Sequence, residues 1–362
     1  MENERLRALR DLLVQRVPQA GALLVSGEAN RRYLSGFRGD SGWLWVTRDD
    51  AAILTDSRFW EQVARESPDW RLVRVANRGT EAFVAEACSA AGVTALAIEP
   101  PHLTWATYRS LRRALRGVRL LPAPPLIEEL RQVKAPQELD RIRRAASIAD
   151  QVLAEWLPLV QPGTTEAALA LELEYRMRAL GAEGLAFPTI IATGANGAMA
   201  HAIPGPERLR PGDVLVVDFG ARVDGYCSDM TRTLYVPGAT PSAEAAAVVA
   251  VVARALETAL ALLRPGVGCH ALDQAAREVI TTAGYGDFFG HGLGHAVGLE
   301  VHEGPSLSPR TQPRQRVPAG AVMTIEPGIY LPGRLGVRLE QLVYVGAQGN
   351  ELLSRSPLLP AG

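Results

Sequence analysis

PGDVLVVD, residues 211–218, and AGAVMTIE, residues 319–326, are the two stretches whose reading decides the fold of this chain. Each opens on a glycine turn and continues as a run of apolar and β-branched residues, the pattern of a buried strand. Each ends on a carboxylate, Asp218 in one and Glu326 in the other. The upstream flanks match too: Pro162-Gly163 leads into a helical stretch stopping at Gly181, and Pro265-Gly266 into another stopping at Gly284. Two copies of one design predict an α+β domain with an internal pseudo-two-fold repeat.

Downstream, both strands turn and come back carrying a second acid. In the first copy the turn is VDG (223–225) and the return strand YCSDMTRTLYV (226–236) holds Asp229; in the second, PGRLG (332–336) precedes VRLEQLVYV (337–345), which holds Glu340. Pairing 218 with 229 centres one hairpin inside VDG, and pairing 326 with 340 centres the other on Gly333, both on turn residues as hairpins require. Directly opposed residues in such a ladder stand about 5 Å apart, where like charges are destabilising. Two hairpins repeating that fault imply a cation between them. Four convergent carboxylates are balanced by two divalent ions, typically about 3.5–4 Å apart.

The segment HGLGHAVGLEVHE (291–303) supplies the imidazoles. His291 and His295 have the i, i+4 spacing of a zinc-protease helix. Three glycines, each costing about 1 kcal/mol relative to alanine in a helix, favour a loop or strand edge instead. Oxygen-rich coordination with one imidazole suits manganese, cobalt or zinc, and His295 is the expected nitrogen ligand. His102 and His270, outside this cluster, read as ordinary satisfied residues. Tyr226, Cys227 and Ser228, between the first pair of acids, are expected to pack or to contact the ligands.

The remaining chain sets the context. With 362 residues, 47% of them hydrophobic, two domains are expected. Residues 1 to about 120 alternate short strands (ALLVS, GWLWVT, AAILTD) with helices, an α/β pattern; the proline cluster LPAPPLIEEL (121–130) ends it. The expected domains are therefore 1–125 and 126–362. A net charge of -1 gives no global field for nucleic acid, and the Arg109, Arg112, Arg113, Arg116 stripe reads as a solvated helix face. Three cysteines without a C-x-x-C pair point to reduced thiols in a cytoplasm. The charged N-terminus does not read as a signal peptide. The apolar stretch SAEAAAVVAVVARALETALALL, interrupted by Glu244, Arg254 and Glu257, reads as a core helix and not a membrane span.

The segments VVDFGARVDGYCSDMTRT (216–233), HGLGHAVGLEVHE, TIEPGIY (324–330) and VRLE (337–340) together resemble the pita-bread-fold metallopeptidases, specifically Xaa-Pro aminopeptidase (aminopeptidase P) and Xaa-Pro dipeptidase (prolidase). NRRYLSGFRGDSGWLWVTRDDAAILTDSRFWEQ (30–62) resembles their creatinase-like N-terminal α/β domain. The resemblance implies a dinuclear centre on Asp218, Asp229, His295, Glu326 and Glu340, with two divalent ions, Mn2+ first and Co2+ or Zn2+ as alternatives. It implies that Glu326 also serves as general base and proton shuttle. His201, in GAMAHAIPG (197–205), with His291 and His302, matches residues that hold the substrate carbonyl and stabilise the tetrahedral intermediate; Tyr330 and Arg338 match residues that close the site. The implied substrates are proline-containing peptides, and the implied assembly is a homodimer.

Two departures from the family pattern stand out: Ala296 replaces the usual glycine after the ligand histidine, and FRGDSG carries a charged Arg38 and Asp40. The loop type inclines the reading to an aminopeptidase over a dipeptidase. Methionine aminopeptidase, which usually lacks the N-terminal domain, a non-catalytic pita-bread module and a creatinase-like hydrolase, which would lack the full ligand set, are more distant alternatives.

Overall fold

The computed structural model describes residues 4–76 and 79–358, which form two compact units meeting between Arg131 and Gln132. The first contains α1 (Glu4–Arg16), β1 (Ala22–Val25), α2 (Glu28–Ser35), β2 (Trp43–Thr47), β3 (Ala51–Thr55), α3 (Trp60–Glu66), β4 (Arg71–Arg74), α4 (Thr80–Ala90), β5 (Ala95–Ile98), α5 (Trp105–Ala114), β6 (Arg119–Pro122) and α6 (Leu126–Arg131). The strands make one mixed sheet in the order β4-β3-β2-β1-β5-β6. Helix α6, just beyond the proline cluster, belongs to this unit, so the division falls six residues later than the composition shift at 125. The strands read as continuous apolar runs because the sheet is covered on both faces: Leu23, Leu24, Leu44 and Ile53 are all buried.

The second unit contains α7 (Pro136–Trp156), α8 (Glu166–Ala179), β7 (Gly184–Leu185), β8 (Ile190–Thr193), α9 (Gly194–Gly197), β9 (Val214–Phe219), β10 (Ala221–Val223), β11 (Tyr226–Cys227) and β12 (Met230–Tyr235). It continues with α10 (Ala243–Leu262), α11 (Cys269–Thr282), β13 (Gly294–Ala296), β14 (Glu303–Leu307), β15 (Ala321–Ile325), β16 (Gly328–Leu331), β17 (Leu335–Arg338), β18 (Gln341–Gly346) and β19 (Gly349–Leu352). The repeat is real in three dimensions. Helices α8 and α11 are each 14 residues long. Each is entered past a bridge to the segment before its hairpin, Thr165 to Arg208 in one half and Gly268 to Arg316 in the other.

Each half has its own core. In the first, α7 and α8 cover β9 and β12 through Val152, Leu173, Leu215 and Val217, and the indole N–H of fully buried Trp156 donates to Leu169 O at 2.9 Å. In the second, α10 and α11 cover β15 and β18 through Val252, Leu256, Leu272, Met323 and Val343. Helix α10 is long and apolar enough to cross a membrane by length and composition. Val248, Val252, Ala255, Leu256 and Ala259 recur at helical spacing on its buried face, as a core helix requires. Its N-cap is Ser242, whose Oγ accepts from Ala245 N at 3.1 Å.

The two hairpins differ from expectation in one respect. In the second, β15 pairs β18 and β16 pairs β17 in one continuous register, Ile325 opposite Gln341 and Gly328 opposite Arg338. Glu326 and Glu340 thus face each other at the break between the two ladders, as the turn at Gly333 implies. In the first, Asp218 lies opposite Thr231 and not Asp229. The turn is the two-residue Asp224-Gly225, both at positive φ (46° and 82°), between paired Val223 and Tyr226. That moves the register by two residues. Asp229 is consequently the diagonal neighbour of Asp218 on the same face, and the place across from it falls to Gly220. A Cβ at Gly220 would sit 2.0 Å from Ser228 O, so the close approach there admits only glycine.

Candidate metal centre

The return strands of the two hairpins lie side by side, and this brings the acids together. Glu340 N donates to Thr231 O, and Thr233 Oγ1 donates to Arg338 O at 2.7 Å. Thr231 Oγ1 donates to Glu340 Oε2 at 2.9 Å and accepts from Arg338 Nε at 3.1 Å. Asp218, Asp229 and Glu340 each place a carboxylate oxygen within 4.8 Å of the others. His295, in the middle of β13, points Nε2 at the same place, 3.2 Å from Glu326 Oε1 and 3.7 Å from Asp229 Oδ2. All five expected ligands therefore converge.

Local chemistry explains why the glycine-rich segment is a strand. A Cβ at Gly294 would lie 2.2 Å from Thr324 O, so only glycine lets β13 close on β15. His295 N then donates to Thr324 Oγ1 at 3.0 Å, and its ring Nδ1 lies 3.1 Å from Ala296 O. A carbonyl only accepts, so the Nδ1 proton faces it and Nε2 is the nitrogen turned to the acids, where it donates to Glu326 in the metal-free chain and offers its lone pair once a cation displaces that proton. Ala296 is fully buried, within the core of the second half.

The electrostatics are those of a site built for cations. Burial, then repulsion from Glu340, Asp218 and Glu326, holds the Asp229 carboxyl well above its ordinary range. Burial with repulsion from Glu326 and Asp218 pushes Glu340 up to about 8. Burial also raises Asp218, against the pull of Arg338. Glu326 goes the other way: burial raises it, but the His295 hydrogen bond and the His295, His291 and Arg338 charges prevail and hold it at about 2. Asp218 Oδ1 and Glu340 Oε1 are buried with no hydrogen-bond partner. Orphaned acceptors of this kind cost about 1–3 kcal/mol each, more when charged. A cation removes both costs, so the donor set fits divalent metal.

His201, His291, His302 and Arg338 line one cavity of about 910 Å³ together with Asp218, Asp229, His295 and Glu326. Arg338 is 3% exposed; its guanidinium binds Asp218 Oδ2, Tyr330 Oη at 2.6 Å and Ala200 O at 3.1 Å. His291 Nδ1 lies 2.8 Å from Gly292 O, so in the neutral ring Nε2 accepts from Tyr330 Oη, 3.0 Å away. Burial lowers the His291 pKa, which favours that neutral form. His302 is exposed and stacks edge-on against His295, ring centroids 4.4 Å apart. His201 is exposed on the loop between β8 and β9.

Three residues expected near the ligands turn elsewhere. Tyr226 Oη donates to Glu138 Oε1 at 2.6 Å, Cys227 Sγ approaches Leu299 O, and Ser228 Oγ binds the Ala221 backbone, so they pack and do not reach the centre. Arg38 pairs with Glu66 Oε1 at 3.2 Å within the first unit. His102 closes a network there that residue spacing did not announce: its Nε2 lies 3.1 Å from Glu128 Oε1, while Asn30 Nδ2 donates to both Glu128 and Glu99. Sequence reading also passed over Asp273 and Arg277 on α11. Asp273 accepts from Leu293 N and from Arg277, which in turn donates to Phe289 O and His291 O at 2.7 Å each.

Comparison with known proteins agrees with this geometry. Residues 140–347 match the model of metallopeptidase family M24, and residues 5–133 match the creatinase/prolidase N-terminal domain. An Xaa-Pro dipeptidase of Pyrococcus horikoshii is 32% identical, covering 92% of this chain and 93% of its own. A solved Xaa-Pro dipeptidase from Bacillus anthracis superposes with a TM-score of 0.92 at 32% identity, covering 98% of this chain and 99% of that one. A solved X-Pro aminopeptidase from Thermotoga maritima gives 0.85 at 34% identity, with 94% and 97% covered. With a creatinase-type N-terminal domain, a pita-bread C-terminal domain and a carboxylate cluster at the meeting of its two half-repeats, the chain belongs to metallopeptidase family M24.

Proposed function

We propose that this chain is a dinuclear metal-dependent Xaa-Pro peptidase, hydrolysing the bond between an N-terminal residue and a following proline. The observation that carries the reading is the convergence of five metal-type donors, two of them with orphaned oxygens, at a cavity that four of them line together with His201, His291 and His302. Asp218, Asp229, His295, Glu326 and Glu340 would hold the ions, with Mn2+ first and Co2+ or Zn2+ as alternatives. When bound, two such cations lower the pKa of water and polarise the scissile carbonyl.

The chain's own groups do the rest. The Glu326 carboxylate takes the proton of the attacking water and delivers it to the proline nitrogen as the C–N bond breaks. His201 and His302, exposed to the cavity, donate to the substrate carbonyl as charge develops on it. His291, with both ring nitrogens engaged, keeps the Tyr330 hydroxyl oriented between itself and Arg338. Proline needs such a dedicated site because its tertiary amide has no N–H for an ordinary peptidase to grip.

The length of substrate follows from what meets the proline carboxylate. A dipeptidase needs a cation there. Among the described residues lining the cavity the one Lys or Arg is Arg338, already committed to Asp218, which supports the aminopeptidase type. Similarity to proteins named Xaa-Pro dipeptidase favours the alternative. A series of Ala-Pro, Ala-Pro-Ala and longer peptides with Mn2+ separates them. The aminopeptidase reading expects kcat/KM to rise beyond the dipeptide, and exclusive cleavage of Ala-Pro sinks it. Release of methionine from Met-Ala-Ser with no cleavage of either proline peptide would overturn both. We further propose a cytoplasmic homodimer, to be checked by light scattering of the full chain.

A further inference from the structure

The loop that carries His201 has an anchor outside the machinery just described. It leaves β8 at Thr193, makes the short turn of α9, passes His201 and returns at Gly205. One side chain on α8 grips both ends: the Glu166 carboxylate accepts from Thr193 N at 2.7 Å and from Gly205 N at 3.0 Å. Between them it accepts from Asn196 Nδ2 at 2.6 Å, and the same amide also reaches Ile203 O at 3.2 Å. The first turn of α8 completes the seat. Its backbone N–H groups at Glu166 and Ala167 donate to Glu207 O and Gly205 O, so the donors a helix start leaves unpaired are spent on the loop.

Glu166 is 0% exposed. A buried carboxylate is costly unless it is hydrogen-bonded, and here three N–H groups meet it. Burial raises its carboxyl pKa, and the Thr193, Gly205 and Asn196 bonds pull it back. On its other side the loop rests against β17, where a Cβ at Gly336 would fall 1.8 Å from Gly197 O, and Arg338 donates to Ala200 O, the carbonyl next to His201. The second half of the repeat has a parallel device. Asp273 on α11 holds Leu293 N and Arg277, and Arg277 holds the His291 carbonyl. In both halves a buried acid on the second helix fixes the segment that bears a cavity histidine.

We propose that Glu166 is a positioning residue for peptide hydrolysis, setting through Thr193, Asn196 and Gly205 where His201 enters the cavity. The inference rests on the reading of His201 as a substrate contact given above. Replacing the carboxylate by an amide keeps its size but turns an N–H donor toward donors, so at least one loop contact is lost. A small displacement of a group that meets developing charge costs turnover up to about 100-fold.

The test is a double-mutant cycle on the full-length Mn2+-loaded enzyme, with Glu166→Gln and His201→Ala alone and together. In Glu166→Gln, kcat and kcat/KM should fall together about 10- to 100-fold, with Mn2+ per chain unchanged. In the His201→Ala background the same change should cost less than about threefold, because its effect passes through His201. Asn196→Ala, at a half-buried position, should show the same pattern at smaller amplitude, and it carries the test if Glu166→Gln does not fold. Full multiplication of the losses, or wild-type kcat in both loop variants, overturns the inference while leaving the Xaa-Pro reading intact. Undiminished turnover in His201→Ala would instead remove the reading of that histidine, and this inference with it.

Discussion

Replacing Arg338 by methionine probes the electrostatics of the centre from a buried counter-charge. The guanidinium is 4% exposed and the Asp218 side chain 12%, so the substitution leaves a carboxylate buried without its cation. Removing one partner of such a pair costs about 3–5 kcal/mol, the lower end applying because Asp218 can take up a proton. At about 2–4 °C per kcal/mol for a domain of this size, about 3 kcal/mol should lower the melting temperature in chelator by roughly 6–12 °C. With Mn2+ present the drop should be much smaller, because cations beside Asp218 take over the electrostatic part of the guanidinium's work. Equivalently, metal should stabilise Arg338→Met by more degrees than it stabilises the wild type. Thermal melts of both proteins, each with chelator and with Mn2+, read this directly. Equal drops in the two conditions, or none in chelator, would refute the reasoning.

Three further outcomes follow from the same geometry. Glu326→Ala should abolish turnover and leave the fold intact by circular dichroism; retained activity with added Mn2+ would remove it from the proton path. His201→Ala should lower kcat by more than it weakens metal binding, since it lines the cavity without joining the carboxylate cluster; equal losses would make it a ligand. Metal loading should release protons. Glu340, ordinarily at 4.5, stands at about 8 through burial and repulsion, so it carries at pH 7 a proton that a divalent ion displaces; burial and the neighbouring acids raise Asp229 in the same direction. Metal affinity should therefore strengthen as pH rises toward and through about 8. A raised folded-state pKa contributes stability fully present below the unfolded value of about 4.5 and lost as pH rises through about 8, so the metal-free chain should weaken over that window. Titration calorimetry in two buffers of different ionisation enthalpy measures the release at pH 7, and its absence there would contradict the charge assignment.

Much of this site is legible in the sequence because repetition and turn chemistry are. Two strands ending in acids and two helices bounded by glycines mark the half-repeats, and Gly333 fixes the second register. The first register is misread by two residues because VDG offers two centres. Pairing 218 with 229 centres the turn between Val223 and Asp224, whereas Asp224 and Gly225, both at positive φ, make the two-residue turn one position later. The acids still converge, since a shift of two preserves the face of a strand. Charge repulsion thus acts along the diagonal in the first hairpin and directly across in the second. Glu166, Asp273 and Arg277 stay invisible for a different reason. Each acts on a loop outside its own helix, and an acid on a helix has no local pattern that tells a backbone anchor from a solvated residue. The tautomers of His291 and His295 likewise depend on carbonyls that only the folded chain brings into place.

The central claim is that mutually repelling carboxylates from two half-repeats share a pair of divalent ions. Anomalous diffraction from crystals grown with Mn2+ tests it most directly. Two peaks per chain, each within coordinating distance of members of the set Asp218, Asp229, His295, Glu326 and Glu340, are the predicted result. A single peak, or density elsewhere with those side chains still in contact only with one another, would contradict it.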